Sequence, residues 1–296
     1  MPPAKLVQLG QRAAFHGRPA DGVAPLQQFL SARLADSPDR RLAGWLLGVC
    51  LSAGGQFGTA ATALQRVLEL PARPEPWQLA PAAESATTLA SIHRQVGRFE
   101  EAEQYDAWAS EVAGDDREAS FSALLGLAAD AVGRHDRDLA AQRLELASAA
   151  CGLGDSWWRQ RVRLAWVTAE VRLSWDRAAD AVAALRPAVA EAEQFGAPRH
   201  VAKSLSFLGV AVHAAGEEGA PEMLGRSALL AESLGAWPLV WATRGLLAEW
   251  LAQTDPEQAE QSRRSAEYAV RLIAADLPPA LASEWLARPD VAPIIR

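Results

Sequence analysis

Asparagine is absent from the 296-residue chain, lysine occurs only at Lys5 and Lys203, and cysteine only at Cys50 and Cys151. Each scarcity excludes something. Two cysteines cannot build a disulfide framework or a cysteine-rich metal cluster, and Cys50 follows Trp45, Leu46, Leu47 and Val49 in a helical pattern, so both read as small core residues. Arginine carries nearly all the positive charge, a bias of GC-rich coding that points to a bacterial source. Long apolar runs are missing too. The greasiest stretch, "LAGWLLGVCLSA", falls short of the ~20 residues of a membrane helix, and "MPPAKLVQLGQRAAFHGRP" holds no run of signal-peptide length. The expectation is a cytoplasmic protein with no membrane partner. A formal net charge of −7 offers no general attraction for nucleic acid or anionic lipid.

Signatures of chemistry are equally scarce. His16, His93, His135, His200 and His213 are scattered, none in a His-Glu-x-x-His spacing, so no metal site is expected. The lone "GLG" at 152–154 lacks a preceding strand and a third glycine. Neither a Gly-x-Ser-x-Gly elbow nor a Gly-Lys-Ser/Thr phosphate loop occurs. The reading is a protein without catalytic residues or cofactor.

What is present is periodicity. Half the chain is hydrophobic, and Ala, Leu, Arg, Glu and Gln recur with apolar residues every three or four positions. Breaks fall at regular intervals in "AGGQ", "VGRF", "VGRHD", "AAGEEG" and "QTDPE", leaving segments of helical length between them. The unit is a helix–turn–helix. In "LLGVCLSAGGQFGTAATALQRVLELP", residues 46–71, Gly48 and Ala60 lack bulk where two helices would cross, Leu47, Leu51 and Leu64 fill the space around them, and Gly55 permits a left-handed turn. The string "LASIHRQVGRFEEAEQYDAWA" repeats the pattern through Leu89, Ala90, His93, Gly97, Phe99, Ala102 and Ala109.

These two strings resemble the tetratricopeptide repeat. Tracking the crossing alanine gives Ala24, Ala60, Ala102, Ala140, Ala181, Ala220 and Ala259, a mean spacing of 39 residues against about 34 in the standard repeat. The blocks "AEQFGAPRHVAKSLSFLG" and "AESLGAWPLVWATRGLLA" are self-similar at 39 residues and resemble the divergent repeats of large bacterial transcription activators and peptide-sensing regulators. The resemblance implies an all-α, right-handed superhelical solenoid of about seven units over residues 1–277. A C-terminal capping helix and tail follow over 278–296, covering the last apolar face through Leu281, Trp285 and Leu286. The four prolines of "PARPEPWQLAP" predict an extended loop over residues 71–81.

In such arrays the first helix of each hairpin lines a concave groove. Projecting the family's groove offsets onto this sequence singles out Trp45, Arg94, Arg163, Trp166, Lys203 and His213 as the partner-binding side chains. Tryptophan beside arginine suits a peptide bearing an apolar side chain and a carboxylate. The densest stretch, "SWWRQRVRLAWVTAEVRLSWDR", sets five arginines against two acids, with Arg159 and Arg163 on one face. A contrasting acidic run, "EEAEQYDAWASEVAGDDRE", reads as a solvated outer face, and the opposed charges leave self-association open. The family branch that clamps a terminal carboxylate with lysine and asparagine is excluded in its usual form, because asparagine is absent. The functional expectation is a non-enzymatic scaffold or adaptor that binds a protein or peptide in its groove. The alternative is a ligand- or peptide-sensing module resembling the repeat region of bacterial transcription activators. RNA binding is disfavoured by net acidity and by the lack of a recurring base-reading position.

Overall fold

A computed structural model describes residues 2–32 and 35–295. The described residues form fifteen α-helices and no strand: α1 (Pro3–His16), α2 (Pro19–Ser31), α3 (Pro38–Ala53), α4 (Phe57–Leu68), α5 (Pro76–Val96), α6 (Phe99–Val112), α7 (Arg117–Gly133), α8 (Arg137–Ala150), α9 (Trp158–Ser174), α10 (Ala178–Gln194), α11 (Pro198–Ala214), α12 (Ala220–Leu234), α13 (Trp237–Leu251), α14 (Pro256–Asp276) and α15 (Pro279–Leu286). Consecutive helices pack as hairpins, from α1/α2 to α13/α14, and the odd-numbered helices from α3 to α13 also touch in series. The odd series is therefore the inner layer and the even series the outer one.

The local chemistry explains the hairpins. Gly55 and Gly97 turn the chain with φ of 84° and 87°, where a side chain would be strained. A Cβ on Gly48 would collide with Leu64, so α3 and α4 can approach only through that glycine. Ala60, Ala102, Ala140 and Ala181 have no accessible surface, as close crossings require. Ala24 does not follow the pattern. It is exposed, and the close crossing of α2 falls at Gly22, where a Cβ would lie 2.8 Å from Cys50 Sγ and 2.9 Å from Ala13 Cβ. Taking the nearest alanine as the crossing residue placed it two positions late.

The 71–81 stretch is also corrected. The loop ends at Glu75, and α5 starts at Pro76, with a reciprocal cap between Glu75 and Gln78. Proline at the first helical position forfeits only an N–H that has no partner there, and Pro81 interrupts the second turn without ending it.

Hairpins far apart in sequence meet with a constant offset. The Arg199 guanidinium of α11 donates to the Ala14 carbonyl of α1, and His16 Nδ1 lies 3.0 Å from the Phe195 carbonyl, so the first hairpin sits on the sixth. Asp276, at the end of α14, accepts from the Thr59 N–H at 2.9 Å and from its hydroxyl at 2.6 Å, so the second sits beside the seventh. Arg98 pairs with Glu284 of α15, and Arg288 donates to the Gln95 carbonyl, so the third meets the segment beginning the eighth. The spiral thus returns on itself every five hairpins. Trp285 of α15 is completely buried in a core that includes Leu46, Leu89 and Ile273, joining both turns of the spiral. Leu281 and Leu286 pack against the same core.

Candidate functional site

The inner helices bring large side chains together where α1, α3, α9 and α11 meet. Arg159 of α9 lies over the rings of Phe15 of α1, at 4.5 Å, and Trp45 of α3, at 5.8 Å, so three hairpins meet across it. Trp45 is nearly buried and its indole N–H donates to Thr88 Oγ1. Beyond it runs an aromatic series: Trp158 stacks on Phe195 and meets His200 edge-on, while Trp166 stacks on His200 and Phe207. Trp166 is pinned by an indole hydrogen bond to Ser204 Oγ at 2.8 Å.

Charge is threaded through this wall. Lys203 places Nζ 4.5 Å from the centre of the Trp166 ring and makes no ion pair within 4.0 Å among the described residues. Burial, then the neighbouring arginines, pull its ammonium down to about 8, against the opposing pull of Glu170. Arg163 donates to Ser122 Oγ, and Ser122 in turn donates to Glu84, so its charge meets the carboxylate only through a hydroxyl. Burial and nearby Arg159 draw Arg163 down to about 10. The same burial pushes the Glu84 and Glu170 carboxyls above their ordinary range.

Arg94 is placed differently. It spans the buried carboxylates of Asp106 and Asp130, at 2.5 and 2.6 Å, tying α5 to α6 and α7. Burial raises both carboxyls, Asp106 well above its ordinary value, against the lowering pull of Arg94. Asp106 belongs to the acidic run expected to be solvated, and its inward position corrects that expectation. Sequence reading missed it because its neighbours Glu100, Glu101 and Glu103 are also acidic. The signal was its partner's position, since Gly126 leaves room for the carboxylate that a Cβ there would strike. His213 stands apart. It is exposed at the end of α11 and stacks on Trp250 at 4.0 Å. The structure thus sets Trp45 beside Arg159 and Phe15, joins Trp166 with Lys203 and His200, ties Arg163 to Ser122 of α7, makes Arg94 a strut, and leaves His213 exposed on Trp250.

A cleft of 410 Å3 lined by Trp45, Glu84, Arg117, Trp157 and Arg159 opens beside this cluster. A larger one of 750 Å3 lies away from it, in the seam between α4 and α14. Among the described residues no helix is long and apolar enough to cross a membrane.

No protein-family profile and no curated protein matches the sequence. Solved structures do. The apo form of RapI superposes with a TM-score of 0.56 at 11% identity, covering 92% of this chain and 99% of that one. The fold is a tetratricopeptide-like helical repeat array. A Rap protein complexed with competence and sporulation factor gives 0.56 at 13% identity, over 99% of this chain and 78% of that one. Aspartyl phosphate phosphatase F from Bacillus subtilis gives 0.51 at 11%, over 99% and 81%. At these identities the repeat array shares its architecture with them, not its side chains.

Proposed function

We propose that this helical repeat array is a non-enzymatic scaffold of the cytoplasm that binds a peptide or partner protein along its inner groove. The observation that carries the reading is the pair of inner-helix cations that no hairpin core requires, Arg163 and Lys203, set beside the core tryptophans Trp45 and Trp166, with His213 exposed further along α11. Hydrophobic packing alone would fill those positions with aliphatic residues, because a desolvated, poorly paired cation weakens a core. A Rap protein of the same fold, complexed with competence and sporulation factor, supports ligand capture by such an array.

A second reading, a sensing module in which the ligand alters the spiral, is favoured by one contact. Arg199 donates to Ala14 across the seam, and its sequence neighbour His200 packs on Trp158 and Trp166, so an occupant beside those rings would bear on the joint between turns through α11. Affinity capture on the immobilised full chain, followed by peptide mapping of what is retained, tests the proposal. A discrete partner should bind wild type and weaken by roughly 1–3 kcal/mol in the Arg163→Ala/Lys203→Ala variant. Equal binding by that variant would move the functional surface out of the groove.

A further inference from the structure

The 750 Å3 cleft at the seam is built from one face of each of three helices and closed at one end by the next turn of the spiral. On α4, Thr59, Thr62, Ala63 and Arg66 recur at helical spacing, so they form a single stripe about 10 Å long. Leu30 of α2 and the core residues Leu47 and Leu51 of α3 line the cleft with hydrocarbon. Leu277 and Pro278, which follow α14, close it at the Thr59 end. Charge differs between the two ends. Asp276 stands at the closed end, where its carboxylate is already taken up by the N–H and the hydroxyl of Thr59. Arg66, two turns further along α4, is exposed and has no hydrogen bond or ion pair with any described residue. An open cleft that reaches core leucines has the build of a ligand site, since pockets of about 300–1,000 Å3 with apolar walls and a few polar groups hold small molecules.

We infer that this seam cleft binds a small aliphatic monoanion, a medium-chain carboxylate, with its head on Arg66 and its chain laid along α4 toward Leu277 and Pro278. The order of charge fixes that direction, because a head at the other end would meet the Asp276 carboxylate. A neutral apolar molecule leaves the Arg66 donors unused, and a cation meets them as like charge. The walls come from α2, α3 and α4 on one turn and from residues 276–278 on the next, so the ligand spans the joint that Thr59 and Asp276 staple. Occupancy therefore holds the two turns together. The site lies between outer-layer helices and is independent of the groove-binding reading above.

Octanoate is the probe, titrated calorimetrically into the full chain below the concentration at which it forms micelles, with octanol and octylammonium as separate arms. Wild type should saturate with a single octanoate and melt at a higher temperature in its presence. Arg66→Gln should bind octanoate about tenfold more weakly, as expected for losing one charged hydrogen bond, and should bind octanol as wild type does. Thr62→Trp, at an exposed position of the α4 stripe, should fill the cleft and abolish octanoate binding while the protein still melts as wild type does. Arg163→Ala/Lys203→Ala should bind octanoate with unchanged affinity, which separates this site from the groove. Absence of saturable binding, or equal affinity in wild type and Arg66→Gln, overturns the inference. Octylammonium binding as tightly as octanoate overturns the anionic head. Loss of octanoate binding in Arg163→Ala/Lys203→Ala moves the ligand to the inner helices and overturns the seam site. Should Thr62→Trp not fold, Arg66→Gln and the double variant decide without it.

Discussion

Individual charges in this protein are held in two opposite ways, and titration distinguishes them. Lys203 has its ammonium pulled from an ordinary 10.5 to about 8. A base with a depressed folded value binds fewer protons folded than unfolded between those limits, so stability should rise with pH from about 8 to 10.5. Denaturant melts across that window should show the rise in wild type and lose it in Lys203→Met. Arg94 is the opposite case, a cation satisfied on both sides. Arg94→Ala leaves two buried carboxyls together and should cost about 3–5 kcal/mol at neutral pH. The raised values of Asp106 and Asp130 mean that this penalty should shrink as the pH falls and both become neutral. A loss in urea midpoint that does not change with pH would contradict the strut. The sequence placed Arg94 and Lys203 together on the inner face by their offset within the unit. It could not separate them, because what separates them is Asp106 on α6 and Asp130 on α7, twelve and thirty-six residues away.

Helix by helix, small residues decide how closely each pair approaches. Ala60 and Ala102 are without accessible surface at their crossings, so Ala60→Leu and Ala102→Leu should overpack α3/α4 and α5/α6 and cost about 1–3 kcal/mol each. Thermal or denaturant melts at the wild-type midpoint in both variants would show that the helices do not cross there. These elements were legible because the information is local: a small residue, a large one a turn away, and a glycine at the bend. The start of α5 was not, since four prolines outweigh a cap in composition. Only the pairing of Glu75 with Gln78 shows that the chain is already helical at Pro76. Ala24 failed for a different reason. The crossing of α2 uses a glycine where the other hairpins use an alanine, and its contact with Cys50 through Gly22 is invisible in a search for alanine.

Across the whole molecule, the hairpins form a spiral whose successive turns touch, and helix ends on one turn are completed by residues of another. α4 has no side-chain cap of its own. Asp276, 217 residues away, supplies it through Thr59. Asp276→Ala should therefore behave as the loss of an N-cap and cost about 0.5–2 kcal/mol, measured by denaturant unfolding, although the residue lies in α14. No change in midpoint would mean that the turns are not stapled at this point. None of this closure was visible in the repeat pattern. The residues at the seam, Thr59, Arg98, Asp276, Glu284 and Arg288, occupy no shared position within the unit, and a repeat describes a hairpin's neighbours along the chain, not those one turn above.

Linear repeat arrays melt from their tips, because a terminal unit has one neighbour and an interior unit has two. Here the first hairpin leans on the sixth through Ala14 and His16, and the third holds the C-terminal segment through Gln95 and Arg98. Neither tip is free to fray on its own. Loosening one turn exposes the face on which the next rests, so the array loses the graded unfolding of a rod and acquires the all-or-none melting of a globule.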